Sequence, residues 1–286
     1  MDKLLLVYKK SAFEFYNNLK DEVISRFIQS SDIDAVAFKE SRTRQDRSIE
    51  QIVDELDRSR LRYDLIAIEE LRPIEGYDLV ITAGGDGTFL ATSHYVKGIP
   101  ILGVNSDSQT SKGFFCCSEP YNFRSFLDNQ SNVQQTRLNR LEIKINGIVI
   151  PELALNDVLI ANSNQGNTTR YRFDINGANE KNQNSGLLIC TSAGSSARMY
   201  NEGGSLMPIS SYEMQCLAMG TRKAKPCFRD SLTLKSLTRE GMIYIDGGNL
   251  IYKFTLGDII DIKKGLPLAI IGDLEPKRTA QIEMLK

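Results

Sequence analysis

Apolar and polar positions follow two different rhythms along this chain, and the change comes near residue 118. In the first part, apolar runs of strand length alternate with stretches of helical spacing. Leu4–Tyr8 reads as the first strand. Ser11-Ala12-Phe13-Glu14 has the form of a capping box. Phe13, Tyr16, Leu19, Val23 and Phe27 then recur at helical spacing, which predicts a helix with one buried face. Ile33–Phe38 reads as a weak second strand. The polar run from Ser41 to Arg47 reads as exposed, and Ile49, Ile52, Val53 and Leu56 mark a second amphipathic helix. Leu65–Ile68, Leu79–Thr82 and Pro100–Val104 are further strands. Such alternation implies parallel strands with helices on the sheet faces. Ligands of such sheets gather at the carboxyl ends of the strands, where Gly84–Thr88 and Asn105-Ser106-Asp107 fall.

Beyond residue 118 the texture is different. A connecting helix is predicted over Pro120–Leu127. Strand-like runs then follow one another: Leu141–Ile145, Leu153–Ala161, Tyr171–Ile175, Leu187–Cys190, Leu232–Lys235, Met242–Ile245 and Leu250–Phe254. Asn146-Gly147, Asn176-Gly177 and Asp246-Gly247 sit between such runs as hairpin turns. The expected fold is an α/β N-terminal domain over residues 1–118, with a Rossmann-like parallel sheet, and a mostly β domain over 119–265. The final apolar run, Leu268–Ile271, lies in a segment, 266–286, that either closes the β domain or returns to the first one.

Composition narrows the classes. The chain has 286 residues, 41% apolar and 25% charged, which is globular usage. Lys plus Arg number 35 against 36 Asp plus Glu, for a net charge of −1. That argues against nucleic-acid binding driven by bulk charge. Apolar stretches are too short for a membrane-spanning helix. The first residues have the wrong flanks for a signal peptide and read as the start of the fold, so no transit peptide is expected within this chain. Five cysteines without CxxC spacing or a His cluster suggest reduced thiols in the cytoplasm and no zinc.

The stretch with most chemistry is Ala83-Gly84-Gly85-Asp86-Gly87-Thr88, directly after a strand. Glycines allow positive φ and close approach of a ligand to the backbone. Their N–H groups suit phosphate where a helix begins, and Thr88–Thr92 can begin one. An Asp inside such a cradle reads as a base or as the partner of a bound metal. As plain structure, the same stretch is a tight strand-to-helix turn with a capping Asp.

Gly84-Gly85-Asp86-Gly87-Thr88 resembles the GGDGT motif of NAD kinases. Lipid kinases of the diacylglycerol and sphingosine type carry GGDGT too, and phosphofructokinases have a close variant, so the context decides. Pro100-Ile101-Leu102-Gly103-Val104-Asn105 with Lys112-Gly113-Phe114-Phe115 resembles the family's P-x-x-G-x-N…G-F-L stretch. Ala154-Leu155-Asn156-Asp157-Val158 is similar to its A-x-N-E-V motif. Gly186–Ala197 is similar to its G-L-I-V-S-T-P-T-G-S-T-A segment, with Gly203-Gly204 in register, and Ile245-Asp246-Gly247-Gly248 resembles its late D-G turn. The resemblance spans residues 79–272 or so. Lipid kinases place a different loop after GGDGT.

The resemblance implies transfer of a phosphoryl group from ATP, with Mg²⁺, to the 2′-hydroxyl of the adenosine ribose of NAD or NADH. It implies Asp86 as the base. A ribose hydroxyl is a poor nucleophile, and a carboxylate in reach can orient it and take its proton. The phosphoryl group needs positioning and charge neutralisation, which Gly84, Gly85, Gly87 and Thr88 would supply together with Mg²⁺. No metal bound by the protein itself is expected. Asn105, Asn156 and Asp157 would hold the dinucleotide, as would Thr191, Ser195, Ser196, Ala197, Arg198 and Asn201. In this segment small side chains let adenine lie close and hydroxyls read its edge. The family fold puts the dinucleotide between an α/β and a β domain, and its members are often dimers or larger. Asp157 stands where Glu is usual, Ser192-Ala193 where Pro-Thr is, Arg198 where Tyr is and Ser185 where Asp is. The last three departures resemble the plant-type branch that favours NADH.

Two other readings share the loop: a kinase of lipid bases or alcohols, against which the Ala154–Val158 and Gly186–Thr191 stretches argue, and a non-catalytic dinucleotide sensor, which has no need of Asp86. His94 reads as a helical residue without chemistry. Arg42, Arg44 and Arg47 read as a solvated face with phosphate contact as the alternative. Arg170 or Arg172, on the strand after Asn167, faces the ligand or has a structural role. Arg222, Lys223 and Lys225 lie in the β half, where the resemblance implies basic or polar groups near the dinucleotide, without a residue-by-residue match.

Overall fold

Leu4, Leu5, Leu6 and Val7 are all buried, as a strand covered on both faces requires. They belong to β1 (Lys3–Tyr8), at the heart of a parallel sheet with β2 (Arg62–Ala67), β3 (Leu79–Ala83) and β4 (Ile101–Val104). The computed structural model describes residues 3–10, 22–30, 32–129, 134–175, 178–222 and 224–284. The chain divides into two units: Met1–Thr136 with Ala269–Leu274, and Arg137–Leu268 with Glu275–Lys286.

In the first unit the strand order is β2-β1-β3-β4-β19-β6, with β5 (Cys116–Ser118) also on β4; β6 is Gln135–Leu138 and β19 is Leu268–Ile271. The late apolar run thus joins the first sheet, pairing Ile270 in parallel with Ile101. Helices are α1 (Glu22–Gln29), α2 (Ile33–Arg58), α3 (Asp86–Ser93) and α4 (Phe123–Asp128). The unit runs to Thr136, past the expected border at 118, because Gln135 bridges Gly272 and the Thr136 hydroxyl donates to the Gly272 carbonyl at 2.8 Å.

Two expectations here are corrected. Ile33–Phe38 is helical, not a strand. Asp32 caps it, accepting from Asp34 N at 2.9 Å, and the helix continues unbroken to Arg58. A six-residue apolar run fits either period, and the helix formers after it decide. The polar run 41–47 is therefore helical, and not all of it is exposed: Gln45 is buried and Arg44 is half-buried. The capping box and Phe13, Tyr16 and Leu19 lie outside the described residues. Of the rest of that face, Val23 is 74% exposed and Phe27 39%, and the buried side chain of α1 is Ile28.

The second unit is two antiparallel sheets. One has the order β11-β10-β15-β18-β7-β8 and the other β14-β13-β12-β9-β16-β17. The first is built from β7 (Leu141–Ile145), β8 (Ile148–Val149), β10 (Thr169–Ile175), β11 (Ala178–Asn184), β15 (Ser231–Ser236) and β18 (Ile259–Lys264). The second is built from β9 (Asp157–Asn162), β12 (Gly186–Cys190), β13 (Met214–Met219), β14 (Cys227–Arg229), β16 (Glu240–Ile245) and β17 (Leu250–Thr255). One core cluster joins inward residues of both sheets, among them Ile143, Tyr171, Leu234 and Ile262 from one and Val158, Ile160, Ile189 and Ile243 from the other. The alternate residues Leu159, Ala161, Leu188 and Cys190 pack on the opposite face with Met199. This explains why β9 and β12 read as continuous apolar runs.

Asn146 and Gly147 both take positive φ, 51° and 79°, and close the β7–β8 hairpin. Asp246 at φ 49° starts the turn between β16 and β17. Asn176-Gly177 lies outside the described residues. The expected strand over Leu153–Ala161 begins only at Asp157, because the N–H groups of Leu155, Asn156 and Asp157 all point at the Asp246 carboxylate instead of a ladder. After Ala178, strand β11 is polar (Asn-Glu-Lys-Asn-Gln-Asn) and is held by its pairing with β10, so no apolar pattern announces it. Among the described residues no helix is long and apolar enough to cross a membrane.

Candidate functional site

The candidate residues fall into two groups, one in each unit. In the first unit, β3 ends at Ala83 and α3 begins at Asp86, with Gly84 and Gly85 between. None of Gly84, Gly85 and Gly87 takes positive φ. Two of them are glycine because of their neighbours. A Cβ on Gly84 would lie 2.2 Å from Thr88 Oγ1, and one on Gly85 would lie 2.1 Å from Ser111 Oγ. Gly87 is exposed and a Cβ there meets nothing within 4 Å. Open backbone for a ligand therefore lies at Gly87, and the positive φ that glycine allows is not used in this loop.

Asp86 is the first residue of α3. Its Oδ1 accepts from Phe115 N at 2.8 Å, which ties the helix start to the stretch before β5. The other carboxylate oxygen has no partner among the described residues. The N–H groups of Asp86 and Gly87 precede the first bonds of the helix, which are made by Thr88 and Phe89 to the Gly85 carbonyl. Thr88 Oγ1 is buried and has no hydrogen-bond partner among the described residues.

Asn105 is 6% exposed and braces its own loop. Its Nδ2 donates to the Ser111 carbonyl at 3.1 Å, and its amide packs where Gly113, at φ 55°, has no side chain. Next to it, Asp107 is gripped by α2. Arg44 Nε donates to it at 2.8 Å and Nη2 at 3.2 Å, and Ser41 and Thr110 add hydroxyl donors at 2.9 and 2.8 Å. Burial pushes the Asp107 carboxyl up, but Arg44 and the two hydroxyls outweigh it and hold it below its usual range. Arg44 thus has an internal partner, where the sequence read a solvated face. His94 ends α3.

In the second unit the site is organised by Asp246, which the sequence marks only as a turn residue. Its carboxylate accepts Leu155 N at 2.8 Å, Asn156 N at 2.7 Å and Asp157 N at 2.9 Å. A single buried acceptor group thus sets the backbone of the Asn156-Asp157 pair. Burial pushes the Asp246 carboxyl up to about 6, against the pull of the three N–H groups and Arg140. Arg140 is itself buried, donates to the Leu266 carbonyl at 2.9 Å, and is pushed down to about 10 by burial.

Asp157 has no such support. It is 6% exposed, and its carboxylate accepts no hydrogen bond among the described residues. Burial, then the charge of Asp246, push it up to about 7, with Arg198 acting the other way. A buried carboxylate without donors is costly unless something supplies them.

The turn Ala193–Ser196 follows β12 and leads into the short helix α5 (Arg198–Asn201). Gly194 has to be glycine here, since a Cβ would lie 2.1 Å from the Asn156 carbonyl. Thr191 N donates to the Asn156 carbonyl at 2.9 Å and its hydroxyl to the Leu155 carbonyl at 2.5 Å. Thr191 and Ser195 are buried, and their hydroxyls are consumed by the protein: Ser195 donates to the Ser192 carbonyl at 2.8 Å and accepts from Met207 N at 3.0 Å. They shape the turn. Ser196 and Ala197 are half-buried, while Arg198 and Asn201 are exposed, Arg198 pairing with Glu202 at 3.5 Å. The structure therefore brings Asn156, Asp157, Thr191 and Ser195 together around Asp246 and the turn, with Ser196, Ala197, Arg198 and Asn201 at its accessible side. Among the described residues no group of three or more His, Cys, Asp or Glu could hold a metal ion.

The model of the ATP-NAD kinase N-terminal domain matches residues 9–134. A probable NADH kinase of Oryza sativa subsp. japonica is 32% identical over 232 residues, which cover 68% of this chain and 71% of the relative. An NADH kinase of Arabidopsis thaliana is 31% identical over 232 residues, 68% of this chain and 73% of the relative. Among solved structures, an NAD kinase from Archaeoglobus fulgidus in complex with ATP aligns with a TM-score of 0.69 at 18% identity, over 99% of this chain and 97% of that one. A yeast NADH kinase complexed with NADH gives 0.69 at 17%, over 99% and 87%. These structures share the fold, an α/β part with a parallel sheet and an antiparallel β part. By its identity to relatives most of whose length it covers, the chain belongs to the NAD/NADH kinase family, a family of phosphotransferases.

Proposed function

We propose that this protein transfers the γ-phosphoryl group of ATP to the 2′-hydroxyl of the adenosine ribose of NAD or NADH. The observation that carries the reading is Asp86: one carboxylate oxygen is fixed by Phe115 N–H, and the other, like the first N–H groups of the helix it starts, has no partner among the described residues. This second carboxylate oxygen orients the ribose hydroxyl and takes its proton as the hydroxyl oxygen attacks phosphorus. The N–H groups of Asp86 and Gly87 face donor phosphate, which at a helix start meets a partial positive charge. Mg²⁺ enters with ATP as part of the substrate and offsets its charge. Asp157 accepts hydroxyl or amide donors of the dinucleotide, which supply the hydrogen bonds its burial lacks, and Asn156 and Ser196 add polar contacts. The names of the plant relatives favour NADH as acceptor. A homo-oligomer in a reducing, cytoplasmic setting completes the proposal.

Asp86→Asn is the test. The amide keeps the shape but accepts no proton, so turnover of NAD and NADH falls by at least about a hundredfold, while dinucleotide binding persists. Full activity in that variant would refute the role. Wild-type protein that phosphorylates neither dinucleotide but accepts a lipid alcohol points to the other GGDGT kinases instead.

A further inference from the structure

The C-terminal helix α6 (Glu275–Glu283) buries a single side chain, Arg278, which has no exposed surface. Its guanidinium lies against the turn Ala193–Ser196. Nη1 donates to Ser195 Oγ at 2.7 Å, and Nη2 donates to the Ala193 carbonyl at 2.9 Å and to Ser196 Oγ at 3.3 Å. Arg278 is absent from every motif read in the sequence, yet three of its hydrogen bonds go to one four-residue turn.

A guanidinium only donates, and does so in a rigid planar fork. Each hydroxyl oxygen it touches becomes an acceptor on that side and must send its own proton elsewhere. Ser195 sends its proton to the Ser192 carbonyl and is saturated inside the protein. Ser196 is half-buried, and the bond from Arg278 is its one hydrogen bond among the described residues. Its O–H is therefore directed away from the guanidinium and uncommitted. Burial lowers the Arg278 pKa to about 10, with Glu275 and Cys190 acting the other way, so the group stays cationic at neutral pH. A buried cation is a costly way to hold a neutral turn, which argues for a role beyond folding.

We propose that Arg278 is a positioning residue for the dinucleotide: it locks the 193–196 turn and fixes the Ser196 hydroxyl as a donor to an acceptor nitrogen or oxygen of the bound dinucleotide. This rests on the dinucleotide-kinase reading and adds to it a group from the far end of the chain.

Steady-state kinetics on Arg278→Ala, Arg278→Lys, Ser196→Ala and the double variant test it. Loss of a hydrogen bond to a charged group raises the KM for NAD and NADH about tenfold in Arg278→Ala, with the KM for ATP unchanged and kcat within about twofold. Low-millimolar guanidinium chloride restores the lost affinity by occupying the vacated space. Arg278→Lys keeps the charge but not the fork and recovers only part. Because Arg278 acts through Ser196, the double variant is no more than about twofold worse than Ser196→Ala alone. If Arg278→Ala does not fold, Arg278→Lys and titration of NADH by its fluorescence carry the same comparison. Additive losses, an equal rise in the KM for ATP, or an unchanged KM for NADH in any folded Arg278 variant overturn the proposal. An active wild type with unaffected variants sinks this inference alone, whereas a wild type inactive on both dinucleotides sinks the functional reading beneath it.

Discussion

Asp157→Asn should make the protein more stable and a worse enzyme. The Asp157 carboxyl is pushed by burial, and then by Asp246, from 3.8 up to about 7. A carboxyl with a raised pKa binds its proton more tightly in the folded chain than in the unfolded one. The Asp157 contribution to folding stability is therefore greatest at low pH and falls as pH rises from about 4 through about 7. The span is about three pH units, and each is worth 1.36 kcal/mol, so the charged form costs the fold up to about 4 kcal/mol above pH 7. Asn fills the same volume and carries no charge. At pH 8 its stability gain of roughly 1–4 kcal/mol raises the Tm by about 2–4 °C per kcal/mol, and at pH 4, where wild type is neutral too, the gain vanishes. Part of the slope remains, because Asp246 titrates near 6 in the same direction. Dinucleotide KM meanwhile rises by about tenfold or more, since a charged acceptor has been removed from the ligand's donors. Thermal unfolding of both proteins from pH 4 to pH 8, with NADH kinetics at pH 7.5, measures all three effects. A variant no more stable than wild type at pH 8, with an unchanged pH slope, refutes the reasoning.

Asp246→Asn keeps an acceptor for Asn156 and Asp157 but sets an amide N–H₂ against Leu155 N–H. It costs about 1.5–3 kcal/mol, and it lowers the apparent pKa of Asp157 by removing a neighbouring charge; carboxyl titration by NMR reads the second effect and urea unfolding the first. On paired strands Cys227 faces Cys216, and their hydrogen bond, with help from Arg229, draws the Cys227 thiol down to about 6 against its burial. Iodoacetamide should label Cys227 first at pH 7 and slow as pH falls below about 6. Cys190, pushed up by burial, stays unlabelled until the chain unfolds, which peptide mass spectrometry resolves. Side-by-side kinetics should give NADH the higher kcat/KM; equal or better values for NAD defeat that preference.

Much of this protein is decided locally and is therefore legible in the sequence. Runs such as Leu4–Val7 and Gly186–Cys190 are unbroken and apolar because both their faces are covered. Asn146-Gly147 makes its hairpin turn from two adjacent residues. The GGDGT stretch and the Asn156-Asp157 pair stand out because their residue types are dear to few other purposes. The glycines of the loop were legible as a requirement but not as a reason: Gly84 and Gly85 make room for Thr88 and Ser111, the second of them 26 residues away. Ile33–Phe38 reads as a strand because a short apolar run fits either period; the N-cap at Asp32 and the residues after 38 tip it to helix.

What only the tertiary structure decided are the pairings between distant residues. Asp246 organises a backbone about 90 residues earlier, from a position where Asp-Gly alone says no more than turn. Arg278 reaches a turn 82 to 85 residues away from a helix that buries nothing else. The strand Leu268–Ile271 is apolar enough for either unit, and the free edge of the parallel sheet took it. Periodicity and composition describe a residue's own environment, and a hydrogen bond across the fold leaves no mark in either. The sequence by itself therefore determined most of the elements and, through its motifs, the family. The fold alone determined which buried charges hold the candidate site residues in place.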